Sequence, residues 1–262
     1  MKDMSLIALD LILLVYIGRE AFRFIAQYKQ LKLDIARGDR QARTRVYLEA
    51  LKFEWISALM ATLGLQFQWS KFNPRLLGLE SSSWTQQLSP AEGMGKPIIG
   101  GLFGGVVLGG LVFVVARLVT NRRTPVPPAP DAPPSWRSRL VPDFSALIPA
   151  TTQERWLWVA VALSAGICEE IVFRGWLLST LHDIVGLTGT ALIVAASVVF
   201  GLAHVYQKIT GVVLTTIAGL LFCVLYVKTG SLLVPILLHV AIDVRFAFLP
   251  APRTAPTQTA YA

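Results

Sequence analysis

Long apolar runs separated by short polar stretches dominate this sequence of 262 residues. A helix rises about 1.5 Å per residue, so a run of about 18 apolar residues is long enough to cross a bilayer. The first two runs are shorter than that, and the first contains Asp10. The pattern predicts an all-α polytopic membrane bundle of about seven transmembrane helices. The predicted spans are 4–16, 55–67, 97–119, 156–181, 187–206, 209–227 and 231–249.

Composition supports a membrane protein. Hydrophobic residues make up 54% of the chain and charged residues only 15%, with a mean hydropathy of +0.57, whereas average soluble domains carry about 25% charged residues. These values exclude a disordered chain and argue against an ordinary soluble enzyme. The net charge of +8 comes largely from basic residues in short stretches between apolar runs, which is how membrane proteins distribute charge. We therefore expect a lipid bilayer around the chain and no nucleic-acid partner.

The distribution of basic residues predicts the orientation. The stretch between the first two spans is rich in arginine and lysine, so we place it in the cytoplasm. Alternation of the spans then puts the amino terminus outside and the carboxyl terminus in the cytoplasm. The basic residues of this loop are Arg19, Arg23, Lys29, Lys32, Arg37, Arg40, Arg43 and Arg45.

A proline-rich segment divides the chain. Residues 120–149 contain the sequence TPVPPAPDAPP, and proline at this density favours an extended, semi-rigid spacer over a helix. The segment separates amino-terminal membrane helices with a basic cytoplasmic loop, 1–119, from a four-helix core, 150–249. Residues 250–262 are small, polar and proline-containing, and we expect a disordered tail.

The third predicted span repeats glycine at every fourth residue, at Gly101, Gly105 and Gly109. Small residues on one face of a membrane helix let a neighbouring helix approach closely. Packing within the bundle explains the pattern, and a homodimer formed through this span is the alternative.

Candidate chemistry lies in the last four spans, where ionisable groups are costly and need either a partner or a function. Three clusters occur, each on its own apolar segment. They are Glu169, Glu170 and Arg174; Phe200 and His204; and His239 and Asp243. A separate structural explanation for each cluster would require a coincidence, so we expect one polar chamber between the helices, with water admitted to membrane depth.

Helix geometry suggests how these side chains are paired. Arg174 follows Glu170 by four residues, so an ion pair on one helix face is expected. Glu169 points about 100° away from Glu170 and lacks that partner, which leaves its carboxylate available as a general base. Asp243 follows His239 by four residues and is placed to accept a proton from the imidazole ring and fix its tautomer.

The three motifs, in this order, resemble those of the CAAX protease and bacteriocin-processing family of intramembrane proteases, which includes the type II CAAX prenyl endopeptidases. The resemblance covers residues 156–249. It implies an endopeptidase acting on a membrane-associated or lipid-modified protein, with no covalent acyl-enzyme. In that scheme Glu169 and His204 activate a water molecule, while His239 and Asp243 face the oxyanion or position the water. Glu170 and Arg174 support the site, and Phe200 is the phenylalanine of the Phe-x-x-x-His motif.

Several alternatives remain open at this stage. The family pattern has asparagine or a similar polar residue where this chain has Asp243, and an ionised aspartate cannot donate a hydrogen bond to an oxyanion. Either Asp243 is protonated or it orients His239 instead. We expect no cofactor, with zinc held by the histidines and carboxylates as the alternative. A nucleophilic Cys168 is a further alternative for the chemistry, although neighbouring residues of a helix do not share a face.

Two other functions compete with proteolysis. The first is a proton-coupled carrier, because buried glutamate, histidine and aspartate also form proton relays. The second is a non-catalytic immunity or scaffold protein on the same fold. One geometric tension also arises: Glu169 lies midway along its predicted span and His204 near the cytoplasmic end of the next, which gives a depth mismatch of about 15 Å.

Overall fold

The computed structural model describes residues 4–68 and 144–250, and these residues form helices with no β-strand. The expected all-α class is therefore confirmed. Three parts of the prediction fall outside the described residues: the third span with its glycines, the proline-rich residues 120–143, and the tail from residue 251. The homodimer through the third span and the sides of the membrane on which the two termini lie stay predictions.

Six principal helices make up the described part of the chain. They are α1 (Met4–Ala36), α2 (Ala42–Gln68), α3 (Thr152–Glu170), α4 (Gly189–Ala203), α5 (Lys208–Thr229) and α6 (Leu233–Val244). The helix begun by α3 continues through a π-helical segment, Ile171–Leu177, and further turns to Val185. Short 3₁₀ turns lie at Ser145–Leu147, Val205–Gln207 and Arg245–Phe248.

Local signals in the sequence define several helix ends. The Thr151 side chain accepts a hydrogen bond from the Glu154 amide, and the Glu154 carboxylate accepts one from the Thr151 amide, so that α3 begins with a capping box. The same long helix ends at Gly186 with φ of 80°, a left-handed conformation that glycine adopts without a steric penalty. Gly230, with φ of 66°, ends α5 in the same way.

Within residues 4–68 and 144–250, two helices are long and apolar enough to cross a membrane, namely 152–185 with 34 residues and 205–229 with 25 residues. Both coincide with predicted spans. The helix α4 is apolar but only 15 residues long, and α6 has 12 residues. The helices α1 and α2, with 33 and 27 residues, extend well beyond the short runs from which they were predicted. A count of seven spans is therefore not confirmed.

The larger apolar core of the described residues joins the two halves of the chain. Leu13 of α1 and Ala61 of α2 pack with Trp176 and with residues of α4 and α5. Asp10, which interrupts the first apolar run, accepts a hydrogen bond of 2.6 Å from the Trp176 indole. This polar contact explains an aspartate in an apolar helix, because a buried carboxylate needs a hydrogen-bond donor. The helices α2 and α6 both pack along α3, and α4 packs along α5.

Candidate active site

Two adjacent glutamates lie where α3 changes from α-helical to π-helical geometry. Glu169 and Glu170 are its last two residues, and the π-helical segment Ile171–Leu177 follows directly. Segments of π-helix are rare and are often found at functional sites. The change in geometry does not disturb the predicted ion pair, because the Arg174 Nη1 atom lies 2.8 Å from Glu170 Oε1 and both side chains are fully buried.

Glu170 connects two of the three predicted clusters. Its Oε1 atom lies 2.8 Å from Arg174 Nη1 and 2.9 Å from His239 Nδ1, so one carboxylate oxygen is shared by α3 and α6. A carboxylate oxygen accepts hydrogen bonds from both groups. The contact orients the His239 ring and leaves its Nε2 atom facing Glu169, at 3.9 Å from Glu169 Oε2.

His204 lies directly after α4, as the residue that caps its carboxyl end. Its Nδ1 atom lies 2.8 Å from the backbone oxygen of Phe200. A carbonyl oxygen only accepts, so the Nδ1–H donates and a neutral His204 ring carries its lone pair on Nε2. That Nε2 atom faces Glu169 Oε2 at 3.7 Å. The Glu169 Oε2 atom is buried and has no hydrogen-bond partner among the described residues.

Asp243 completes the group from α6. Its Oδ2 atom lies 3.5 Å from His239 Nε2, one helical turn away as predicted. Both ring nitrogens of His239 therefore face carboxylate oxygens, Glu170 on one side and Asp243 on the other. Trp158 of α3 donates a hydrogen bond of 3.0 Å to the backbone oxygen of Asp243 and fixes α6 against α3.

Aromatic rings form the apolar wall of the site. Phe200 is 2% exposed, and the Arg174 guanidinium carbon lies 4.3 Å from its ring centroid and 5.0 Å from that of Phe222. Phe222 stacks on the His239 ring at 5.1 Å. The faces of aromatic rings attract cations, so this wall fits a guanidinium and an imidazole held next to carboxylates.

The structure therefore brings all seven predicted site residues together. The expected depth mismatch between Glu169 and His204 does not occur, and the physical reason lies in helix lengths. Glu169 lies midway along a helix of 34 residues. At 15 residues α4 is about 22 Å long, shorter than the roughly 30 Å hydrocarbon core, so its end need not reach the membrane surface.

One acidic residue near this cluster was missed from the sequence. Glu54 of α2 is 7% exposed and lies within electrostatic range of Glu169, His239 and Asp243. It immediately precedes the predicted second span, 55–67, and so falls outside the predicted membrane helices. Its buried position is a consequence of α2 beginning at Ala42. A carboxylate adjoining an apolar run, with Ser57 one turn later, was the available signal.

Two alternative chemistries were a nucleophilic Cys168 and a bound zinc ion. Cys168 is 1% exposed, and it precedes Glu169 on a helix, where adjacent side chains diverge. In the ranges 4–68 and 144–250, no group of three or more histidine, cysteine, aspartate or glutamate side chains is arranged to hold a metal ion. The expectation of a cofactor-free site, with zinc as the alternative, stays a prediction.

Comparison with known proteins gives one relevant finding. A family model described as Rce1-like, type II CAAX prenyl endopeptidase Rce1-like, matches residues 151–245. The matched segment contains all seven predicted site residues and excludes Glu54. No curated protein and no solved structure matches the chain.

Proposed function

We propose, on the premise that residues 151–245 belong to the Rce1-like family of type II CAAX prenyl endopeptidases, that this chain is an intramembrane endopeptidase. It hydrolyses a peptide bond in a membrane-associated or lipid-modified protein. One observation carries the proposal. The buried and unpartnered Oε2 atom of Glu169 lies 3.7 Å from His204 Nε2 and 3.9 Å from His239 Nε2, so three groups able to bind a water molecule face one point.

The first step is activation of water. A water molecule at this point donates one proton toward Glu169 Oε2 and the other toward the lone pair on His204 Nε2, which turns an oxygen lone pair toward the substrate. Glu169 takes its proton as general base while the water oxygen bonds to the peptide carbonyl carbon. The carbonyl π electrons move to oxygen, and a tetrahedral oxyanion forms without an acyl-enzyme.

His239 stabilises this oxyanion. Its ring lies between Glu170 and Asp243, an arrangement in which the doubly protonated ring donates from both nitrogens. The Nε2–H lies beside the proposed water position, at 3.9 Å from Glu169 Oε2, and donates to the oxyanion that forms there, because a preorganised donor in a water-poor site is most effective. Asp243 holds the charged ring and does not itself bind the oxyanion, which accounts for an aspartate where the family pattern has asparagine.

The second step breaks the carbon–nitrogen bond. Glu169 returns its proton to the departing nitrogen, the oxyanion electrons re-form the carbonyl, and the products are a carboxylic acid and an amine. Glu170 and Arg174 support the formation of the oxyanion through His239, since the buried ion pair fixes Glu170 Oε1 at 2.9 Å from His239 Nδ1.

Comparative proteomics of membranes from cells with and without this chain identifies the substrate and its cut site. A peptide spanning that site is then used with purified protein. We expect Glu169→Gln and His204→Ala to lower turnover by about 10²- to 10⁴-fold, the usual contribution of general acid–base groups. Both variants should insert into membranes and unfold at the wild-type temperature.

Two matched controls are present in the chain. Glu49→Gln makes the same change at a half-exposed glutamate of α2 that is paired with Lys52, and His182→Ala removes a histidine beyond the cluster, whose ring contacts the backbone of Leu187. Both controls should retain turnover. Full turnover by Glu169→Gln or by His204→Ala contradicts the proposed mechanism.

A further inference from the structure

Two polar side chains on α2 are buried without hydrogen-bond partners. Glu54 is 7% exposed and Ser57 is 3% exposed, and neither Glu54 Oε2 nor Ser57 Oγ has a partner among the residues that the structure describes. They are three residues apart, so they lie on neighbouring positions of one helix face. That face continues toward the core through Ala58 and Ala61.

The lack of a partner at Ser57 is unusual within this chain. Ser179 and Ser197 donate to backbone oxygens four residues earlier, at 2.9 and 2.7 Å, and Thr62 of the same helix donates to Ala58 at 2.8 Å. Such bonds are the ordinary way in which a helix satisfies a buried hydroxyl. A buried polar group that is left without one raises the question of which group binds there.

Glu54 lies on α2, which packs along α3, the helix that carries Glu169. It lies within electrostatic range of Glu169, His239 and Asp243, and also of Cys168, which precedes Glu169. Trp55 fixes the adjoining turn, since its indole donates a bond of 3.0 Å to Ser164 of α3. The position of Glu54 is therefore held by packing against the helix that carries Glu169.

A peptide that is cleaved inside a membrane needs polar side chains to pair with its backbone. Its backbone must be extended at the scissile bond, and an extended segment in a water-poor site cannot satisfy its own N–H and C=O groups. The catalytic residues serve the carbonyl under attack. The neighbouring peptide units require partners from another wall of the chamber.

We propose that Glu54 and Ser57 form a substrate-binding wall that hydrogen-bonds to the backbone of an extended peptide beside the bond that Glu169 cleaves. This inference rests on the proposed function. It gives the amino-terminal half of the chain, outside the matched segment 151–245, a direct part in binding substrate. A carboxyl group and a hydroxyl both have oxygen atoms that accept from a peptide N–H, and a hydroxyl also donates to a peptide C=O.

The test measures peptide binding separately from hydrolysis. The probe is a fluorescent apolar peptide, and its Kd is measured in the Glu169→Gln background, which binds without cleaving. We expect Glu54→Leu to weaken binding about tenfold, the effect of losing one hydrogen bond in a buried site. Glu54→Gln should bind within about threefold of the parent, since an amide retains an acceptor and adds a donor. Ser57→Ala should weaken binding by about threefold to tenfold.

A second arm changes the peptide instead of the protein. Ester oxygens replace single backbone N–H groups along the probe. One such replacement should raise the Kd for the Glu169→Gln parent about tenfold. The same replacement should change the Kd for the Glu54→Leu variant little further, because the effects of two groups in contact are not additive. If Glu54→Leu does not fold, the same scan of the parent against Ser57→Ala decides the question.

The outcomes separate the two proposals. Unchanged binding in Glu54→Leu, or equally weak binding in Glu54→Gln and Glu54→Leu, overturns the substrate-binding wall. Additive effects of the ester and the protein substitution also overturn it. Failure of the wild-type chain to hydrolyse any peptide rejects the proposed function, while the Kd values still decide whether the wall binds a peptide. Glu49→Gln on the same helix is the control.

Discussion

The buried ion pair between Glu170 and Arg174 allows a quantitative test of the site. Both side chains are fully buried, and Arg174 Nη1 lies 2.8 Å from Glu170 Oε1. The guanidinium also makes a 3.4 Å hydrogen bond to the Gly219 backbone and lies over the rings of Phe200 and Phe222. Its Nε atom has no partner among the described residues. Arg174 therefore depends on Glu170 for compensation of its charge.

Substitution Glu170→Gln removes this compensation while keeping the size of the side chain. Removing one partner of a buried ion pair costs about 3–5 kcal/mol, because the remaining charge stays buried without a counter-charge. The change also weakens the 2.9 Å contact with His239. For chains of this size 1 kcal/mol corresponds to about 2–4 °C in Tm. We therefore expect Tm to fall by about 6–20 °C.

The assay is thermal unfolding of purified protein in detergent, followed by the fluorescence of its 7 tryptophans. A double variant, Glu170→Leu with Arg174→Met, removes both charges. Its free energy of unfolding should fall by less than the sum of the losses in the single variants Glu170→Leu and Arg174→Met. The reason is that the double variant leaves neither charge uncompensated. The control is Glu49→Gln, whose salt bridge lies at the surface and contributes at most about 1 kcal/mol.

Two results would refute this reasoning. The first is a Tm for Glu170→Gln that equals that of the control, which would mean that the Arg174 charge is compensated elsewhere. The second is strict additivity in the double variant, which would mean that the two side chains do not interact across the 2.8 Å contact.

Three further predictions test individual parts of the site. Asp243→Asn should lower kcat about tenfold at unchanged Tm, since it removes the negative charge facing His239 Nε2 at 3.5 Å; unchanged kcat would show that the asparagine of the family pattern serves equally well. Cys168→Ala should retain kcat, and loss of turnover at wild-type stability would favour a thiol nucleophile. Gly166→Ala should lower Tm, because its new Cβ atom would overlap the Val240 side chain, and Val240→Ala should restore part of the loss. An unchanged Tm would contradict the close packing of α3 on α6.

Helical periodicity was sufficient to predict the pairs that lie within one helix. Glu170 with Arg174 and His239 with Asp243 are each four residues apart, and helix geometry alone places such residues on one face. The convergence of the three motifs was inferred from the cost of separate buried charges, and the distances of 2.9 to 3.9 Å between α3, α4 and α6 confirm that the side chains meet.

Depth along the membrane was not predictable from apolar runs. A hydropathy pattern cannot show that the run at 187–206 forms a helix of only 15 residues, Gly189–Ala203, followed by a turn. The apolar run at 187–206 predicts a helix long enough to cross the bilayer. The shortness of α4 allows His204 to reach Glu169, and the length of the preceding helix places Glu169 at its midpoint.

Contacts between the two halves of the chain were equally hidden, because they join residues far apart in sequence. Asp10 looked like an interruption of the first apolar run, and it is the hydrogen-bond acceptor of Trp176. Glu54 precedes the second apolar run, and it is buried on α2 within electrostatic range of Glu169 and Asp243. Proline at high density favours an extended spacer, but it does not tell whether the helices on either side share a core. Leu13 and Ala61 pack with Trp176 in one core, so α1 and α2 contact the long helix that carries Glu169, which neither the family motifs nor the apolar pattern could show.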